Sequence, residues 1–178
     1  MVKVIAEIGS VHDGSFGNAC CLIQKIAEAG AWAVKFQLHI AKEETTINAP
    51  NPNYFKSESR YDYFERTAFS ENQWRELKEI SHKNKLKFIV SPFSIEAAKR
   101  LIELDIDYFK IPSGEVTNLP LLELIGQHNI PSILSSGMSS LKELNIAKEF
   151  LGKGLKCIMQ CTSEYPCRPE NVGLNLMN

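Results

Sequence analysis

Two short segments hold the residues best suited to chemistry. Lys35 and Gln37 sit two apart in Ala33-Val34-Lys35-Phe36-Gln37, and Lys110 lies just ahead of Ser113 and Glu115. Each lysine ends an apolar run, where an ammonium is costly to bury without a partner. Four more clusters have the same form. Glu7 is followed by Ser10, His12 and Asp13; Ser91 closes Phe88-Ile89-Val90; Ser135 and Ser136 close Ile133-Leu134; Gln160, Thr162, Ser163 and Tyr165 follow Cys157-Ile158-Met159. Lysines neutralise charge and hydroxyls donate hydrogen bonds, a combination that suits a phosphate or carboxylate dianion. Glu7 and Glu115 are carboxylates able to move protons. The set implies a small anionic, phosphorylated substrate.

Plainer roles stand beside these. Lys35 can simply pair with Glu7. His12 reads as a hydrogen-bonding loop residue rather than a ligand. His39, His82 and His128 fall in loops or on exposed faces and are assigned no role. Most helix serines read as caps, and Lys142, Glu143 and Lys148 as a solvated helix face.

Short apolar runs that alternate with helical patterns must position these residues. Strands are expected at Val2–Ile8, Trp32–Leu38, Leu86–Val90, Ile106–Ile111, Ser132–Leu134 and Leu155–Met159. Helical spacing runs from Asn18 to Ala29, with Gly30 ending it. Ser70-x-x-Gln73 and Ser140-x-x-Glu143 have the form of capping boxes. Ser94 caps a helix through Leu101, and Pro120 suits a first helical turn. Residues 40–69, polar and with Pro50 and Pro52, read as one long loop, a length that is usually functional and often a lid.

Strand–helix alternation predicts an α/β fold with parallel strands and helical crossovers. A closed barrel and an open doubly wound sheet both fit. No Gly-x-Gly-x-x-Gly follows the first strand, against a dinucleotide site. Polar residues at the C-terminal ends of all six strands favour the barrel, where such ends share one rim.

Net charge is −1 with no basic run, against nucleic acid or a membrane surface as partner. No apolar stretch nears a membrane span, and Met1–Glu7 lacks the apolar core of a signal peptide. Five cysteines form no disulfide framework, so a reducing cytoplasm is expected. Cys157 and Cys161 are about 13 Å apart if both lie on a strand. One zinc cannot span that distance, and Cys157, Cys161 and Cys167 are expected to be buried thiols.

The clusters carry a resemblance. Ile5-Ala6-Glu7-Ile8-Gly9, His12-Asp13-Gly14, Ala33-Val34-Lys35-Phe36-Gln37 and Ser91-Pro92-Phe93 resemble motifs of the sialic acid synthases. So do Lys110-Ile111-Pro112-Ser113-Gly114-Glu115 with Thr117-Asn118-Leu119-Pro120, Leu134-Ser135-Ser136-Gly137-Met138, and Cys161-Thr162-Ser163-Glu164-Tyr165-Pro166. The motifs keep the family's order from end to end. The resemblance implies a parallel (β/α) TIM-type barrel that condenses phosphoenolpyruvate with N-acetylmannosamine, or a related N-acetylated amino sugar, releasing phosphate. It implies that Lys35, Ser91, Lys110, Ser113, Ser135 and Ser163 hold phosphoenolpyruvate. Gln37 and Tyr165 face the sugar. Glu115 orients or deprotonates the attacking water, and Glu7 lies near the reacting carbons; Glu7, Lys110 and Glu115 are the catalytic set. It also implies manganese or magnesium, a domain-swapped homodimer and a C-terminal antifreeze-like domain.

Two positions depart from the pattern: Val11 stands where the family often has Asn, and Gln160 where many relatives have His. Length is the larger departure. A barrel of this class takes about 250 residues and eight strands, whereas residues 1–178 supply about six βα units. The metal ligands and the antifreeze-like domain are expected beyond Asn178, and the chain alone is expected to be marginally stable and inactive. Three other readings stay open: a legionaminate or pseudaminate synthase, an aldolase using Lys110 as a Schiff-base nucleophile, and a non-catalytic phosphoenolpyruvate binder or structural remnant.

Overall fold

A computed structural model describes residues 2–51, 58–164 and 166–177. The chain divides into two compact units, Met1–Asp107 and Tyr108–Asn178.

The first unit contains β1 (Ile5–Gly9), α1 (Phe16–Glu28), β2 (Ala33–Leu38), α2 (Ala41–Glu44), α3 (Arg60–Thr67), α4 (Glu71–Lys83), β3 (Lys87–Pro92) and α5 (Ile95–Glu103). β1 pairs with β2, and β2 with β3, all parallel. β3 is buried from Phe88 to Pro92. A strand covered on both faces is apolar throughout rather than alternating, as its sequence shows. Phe36 and Phe88 are fully buried, with Trp74 of α4 edge-on to Phe36 at 6.0 Å. Ala97, Ala98 and Leu101 form the buried face of α5.

The second unit contains β4 (Tyr108–Ile111), α6 (Leu119–Gln127), β5 (Ser132–Ser135), α7 (Leu141–Leu151) and β6 (Leu155–Met159). Again the pairing is parallel, β4 with β5 and β5 with β6. Leu121, Leu122 and Ile125 of α6 and Leu144, Ala147 and Leu151 of α7 are buried. Gly126 sits against the Phe150 carbonyl, so any β-carbon there would force α6 away from α7.

The caps form as expected. Ser70 and Ser140 each complete a reciprocal capping box, Ser94 accepts the Ala97 N–H, and proline occupies the first turn of α6. Gly30 follows the C-cap of α1 at positive φ. Three expectations need correction. The β1 ladder begins at Ile5, opposite Ala33, and Val2 and Val4 are exposed. β4 starts at Tyr108 because Asp105 turns the chain at positive φ and Asp107 is engaged elsewhere. The long loop contains α2 and α3. Ser59 caps α3 by accepting from the Asp62 N–H, and Phe64 and Thr67 form its buried face. That cap-and-face pattern was readable in the sequence but was masked by the surrounding polar and proline residues.

The buried-thiol expectation fails as well. Cys157 is exposed and Cys161 and Cys167 are only partly covered. The reason is local: β6 is open from Lys156 to Met159.

Candidate active site

In the first unit, strand register places the predicted residues together. Glu7 on β1 is in register with Lys35, and Gln37 with Ser91. Lys35 Nζ lies 2.5 Å from Glu7 Oε2 and donates to Ser91 Oγ at 3.2 Å. The Lys35 side chain is 12% exposed and that of Glu7 44%. An ammonium has three protons, and Glu7 and Ser91 take two of them. The plain role and the chemical role of Lys35 therefore coexist in one geometry. Gly9 makes this possible. Its φ is +53°, and a β-carbon there would meet Glu7 Oε1 at 3.0 Å and the Gln37 amide at 3.7 Å.

Lys110 on β4 repeats the arrangement in the second unit. Lys35 is in register with Ile89 and bonds to the hydroxyl two residues on, at Ser91. Lys110 is in register with Ile133 and bonds to the hydroxyl two residues on, at Ser135. Side chains two apart share a strand face, so each lysine reaches along the face of the neighbouring strand. Ser113 and Ser163 meet over Gly137, where a β-carbon would lie 2.6 and 2.7 Å from their hydroxyl oxygens. The bare glycine thus leaves room for two of the predicted phosphate-binding hydroxyls. Glu115 follows on a short 3-10 turn, Ser113–Glu115. Its Oε2 accepts from Asn118 Nδ2 at 2.7 Å, while Asn118 Oδ1 caps α6 through the Leu121 N–H. One asparagine therefore aims the carboxylate and starts a helix.

Several polar residues at strand ends prove to be scaffolding. Ser136 Oγ donates to Gln160 Oε1 and accepts the Cys161 N–H. Thr162 donates to the Asn171 carbonyl at 2.8 Å. Asp13 accepts from Arg66 at 2.8 Å, and the Ser10 carbonyl accepts from the Tyr63 hydroxyl. His12 is the loop hydrogen-bonder expected. It is buried, and its Nδ1 accepts the Gly14 N–H at 3.1 Å. Burial pushes its pKa below the ordinary value, with Asp13 partly opposing, so the ring is held neutral. Tyr165 lies outside the described residues.

His39 corrects the sequence reading. It lies in a loop just past β2, as expected, but is largely covered and not idle. Its ring stacks on Phe64 at 4.0 Å and on Phe93 at 4.2 Å. Nδ1 lies 2.7 Å from Glu44 Oε2 and Nε2 lies 3.3 Å from Gln37 Oε1. His39, Gln37, Phe64, Ser10 and Lys42 are among the walls of a cleft of about 370 Å³. A histidine two residues beyond Gln37 with a glutamate five residues further on, at Glu44, was the available signal.

Among the described residues no three histidine, cysteine, aspartate or glutamate side chains gather as a metal site. Glu7 is already engaged by Lys35. The residues present do not fit a divalent cation.

The comparisons bear directly on this geometry. The chain is 36% identical to the N,N'-diacetyllegionaminic acid synthase of Campylobacter jejuni, over 98% of this chain and 55% of that protein. It is 32% identical to the human N-acetylneuraminate-9-phosphate synthase, over 98% of this chain and 50% of that one. The chain thus spans about half the length of the curated relatives it matches. The crystal structure of the N-acetylneuraminic acid (sialic acid) synthetase of Leptospira borgpetersenii, in complex with citrate, matches 98% of this chain and 59% of its own at 27% identity, with a TM-score of 0.83. The fold is accordingly α/β, of the parallel (β/α) barrel type, with six strands among the described residues. The NeuB family model matches residues 22–178, well over half of the sequence, and the chain belongs to the NeuB family.

Proposed function

We propose that the chain is a nonulosonate synthase, or the substrate-binding part of one. It joins phosphoenolpyruvate to N-acetylmannosamine or a related N-acetylated amino sugar, with water, and releases phosphate. One observation carries the reading: the same lysine-to-serine pairing at the ends of β2–β3 and of β4–β5. A small substrate bearing both a carboxylate and a phosphate calls for cationic, hydroxyl-rich contacts of this kind.

In the reaction, C3 of phosphoenolpyruvate attacks the open-chain aldehyde carbon, and the aldehyde oxygen takes up a proton. Water then bonds to C2 and gives its proton to Glu115, whose carboxylate is held by Asn118. The tetrahedral C2 reforms its carbonyl as the C–O bond to phosphate breaks, and its hydroxyl proton leaves with the phosphate. Lys35, Ser91, Lys110, Ser113, Ser135 and Ser163 hold the donor, Gln37 and Tyr165 face the sugar, and Glu7 lies near the reacting carbons. The reading includes a requirement for manganese or magnesium, though the described residues offer no fitting ligand set. A homodimer and a cytoplasmic location go with it.

The second reading is a phosphoenolpyruvate binder without turnover, in which the same lysine–serine pairs hold the donor. Phosphate release is measured with phosphoenolpyruvate, N-acetylmannosamine and Mn2+. Sugar-dependent release supports the synthase, and replacing the sugar with a diacetylated or phosphorylated relative identifies the acceptor. Calorimetric binding of phosphoenolpyruvate without release supports the binder, and the absence of both binding and release sinks both readings. A borohydride-trapped pyruvate adduct on Lys110 supports an aldolase instead.

A further inference from the structure

Glu44 is the most deeply covered carboxylate near the β2 terminus, with its side chain 3% exposed. A buried carboxylate is tolerated only when its oxygens are satisfied. Glu44 Oε1 accepts the Ile40 N–H at 2.7 Å, and Oε2 shares a proton with His39 Nδ1 at the same distance. The ring cannot turn away, because Phe64 stacks on it with an interplanar angle of 5° and Phe93 with one of 22°. His39 Nε2 therefore points in a fixed direction, at the Gln37 amide.

That geometry has a chemical consequence. When the Glu44–His39 pair leaves a proton on Nε2, that nitrogen is a donor. Gln37 must then turn Oε1 to the ring, as it does here, and its NH2 is the end left for a ligand. Remove that proton and Nε2 becomes an acceptor. The amide reverses, and its carbonyl oxygen is the end left for a ligand. The charged groups on the elements packed around His39 are Lys42, Glu43 and Glu44 on α2, and Arg60, Asp62, Glu65 and Arg66 on α3, with Arg60 5.5 Å from the Phe64 ring centre; Lys42, Glu65 and Arg100 of α5 line the same cleft. Glu7 approaches the Gln37 amide across Gly9.

We propose that His39, anchored by Glu44, is a positioning residue that sets which end of the Gln37 amide meets the acceptor sugar. With Nε2 protonated, the amide donates to an acceptor oxygen of the sugar, its aldehyde or acetamido carbonyl. The sugar assignment rests on the synthase reading; the link between His39 and Gln37 does not.

The test separates the two. Without substrate, long-range proton–nitrogen correlation NMR reads the His39 ring and the Gln37 side-chain amide in the full chain. Glu44→Gln is expected to change the His39 ring nitrogens and to move the Gln37 amide resonances with them. His39→Phe, which preserves the stack, is expected to move the Gln37 amide alone. A Gln37 amide unmoved in both variants overturns the proposal whatever the protein catalyses. With substrates, His39→Phe is expected to raise the KM for the sugar about three- to tenfold, the worth of one neutral hydrogen bond, with the KM for phosphoenolpyruvate unchanged. His39→Gln, which restores a polar group facing Gln37, is expected to recover most of that loss. A parallel rise in both KM values marks a merely structural role and overturns the proposal. If the wild-type chain binds phosphoenolpyruvate but releases no phosphate, the binder reading stands and the NMR result alone decides the His39–Gln37 link.

Discussion

The lysine–serine pair of β2–β3 and that of β4–β5 share a register and differ in their acid. In the first unit the carboxylate is on the next strand, in register with the lysine and 2.5 Å from it. In the second, Glu115 is on a turn after the strand, and its oxygen receives an asparagine N–H at 2.7 Å. Glu7 already has a cationic partner, whereas Glu115 receives only a neutral amide N–H. Under the proposed function, that contrast suits Glu7 to charge compensation and Glu115 to proton transfer.

Breaking that contrast gives the largest expected effect. Glu115→Gln is expected to lower the rate of phosphate release by a hundredfold or more, the scale of a lost general base, with phosphoenolpyruvate affinity nearly intact. Wild-type turnover in that variant would remove Glu115 from the mechanism. Next come the lysines. Lys35→Met and Lys110→Met are each expected to weaken phosphoenolpyruvate binding about ten- to a hundredfold, as for charge-assisted hydrogen bonds, measured by calorimetry. Lys35→Met also strips Glu7 of its partner, so adding Glu7→Gln is expected to recover thermal stability without recovering affinity. Unchanged affinity in Lys35→Met would reduce that lysine to a structural ion pair.

The smallest effect concerns acid. In the first unit, burial pushes the Asp107 carboxyl up, but Lys87, the Phe88 N–H and His82 outweigh it and hold the group below its usual range. His12 is likewise depressed, by burial. Both folded values lie below the unfolded ones, so both groups take up more protons on unfolding. Their stabilisation is complete above the unfolded values, about 6.5 for histidine and 3.9 for aspartate, and is lost as pH falls through the folded ones. Amide protection in β1 and β3 is expected to fall first as pH drops below the ordinary histidine value, about 6.5, and again below the ordinary aspartate value, about 3.9. Asp107→Asn is expected to remove the second step. Exchange that rises equally in β5 would place the acid-sensitive groups elsewhere.

Much of the site was legible because its residues break local rules. A lysine inside Ala33-Val34-Lys35-Phe36 and a serine closing Phe88-Ile89-Val90 contradict the apolar run around them, and that contradiction marks function. Ser113 and Ser163 were identifiable as hydroxyls at strand ends, but their meeting over Gly137 was not, because 50 residues separate them. His39 was missed for the opposite reason. It looks ordinary in a polar segment, and only its two aromatic neighbours, Phe64 and Phe93, give it a fixed direction. Ser136, Thr162 and Asp13 share the look of the site residues, and their hydrogen bonds make them loop anchors.

The sequence by itself determined the order of strands and helices, the caps at Ser70, Ser94 and Ser140, and the polar residues at the strand ends. These follow from periodicity and short-range hydrogen bonding, which span only a few residues. Tertiary structure alone decided that β6 is open and its cysteine exposed, that Glu7 holds Lys35 while Asn118 holds Glu115, and that His39 faces Gln37. Those outcomes depend on strand register and on which side chains cover a given face. Both are set by packing between residues far apart in the chain, and no local pattern encodes them.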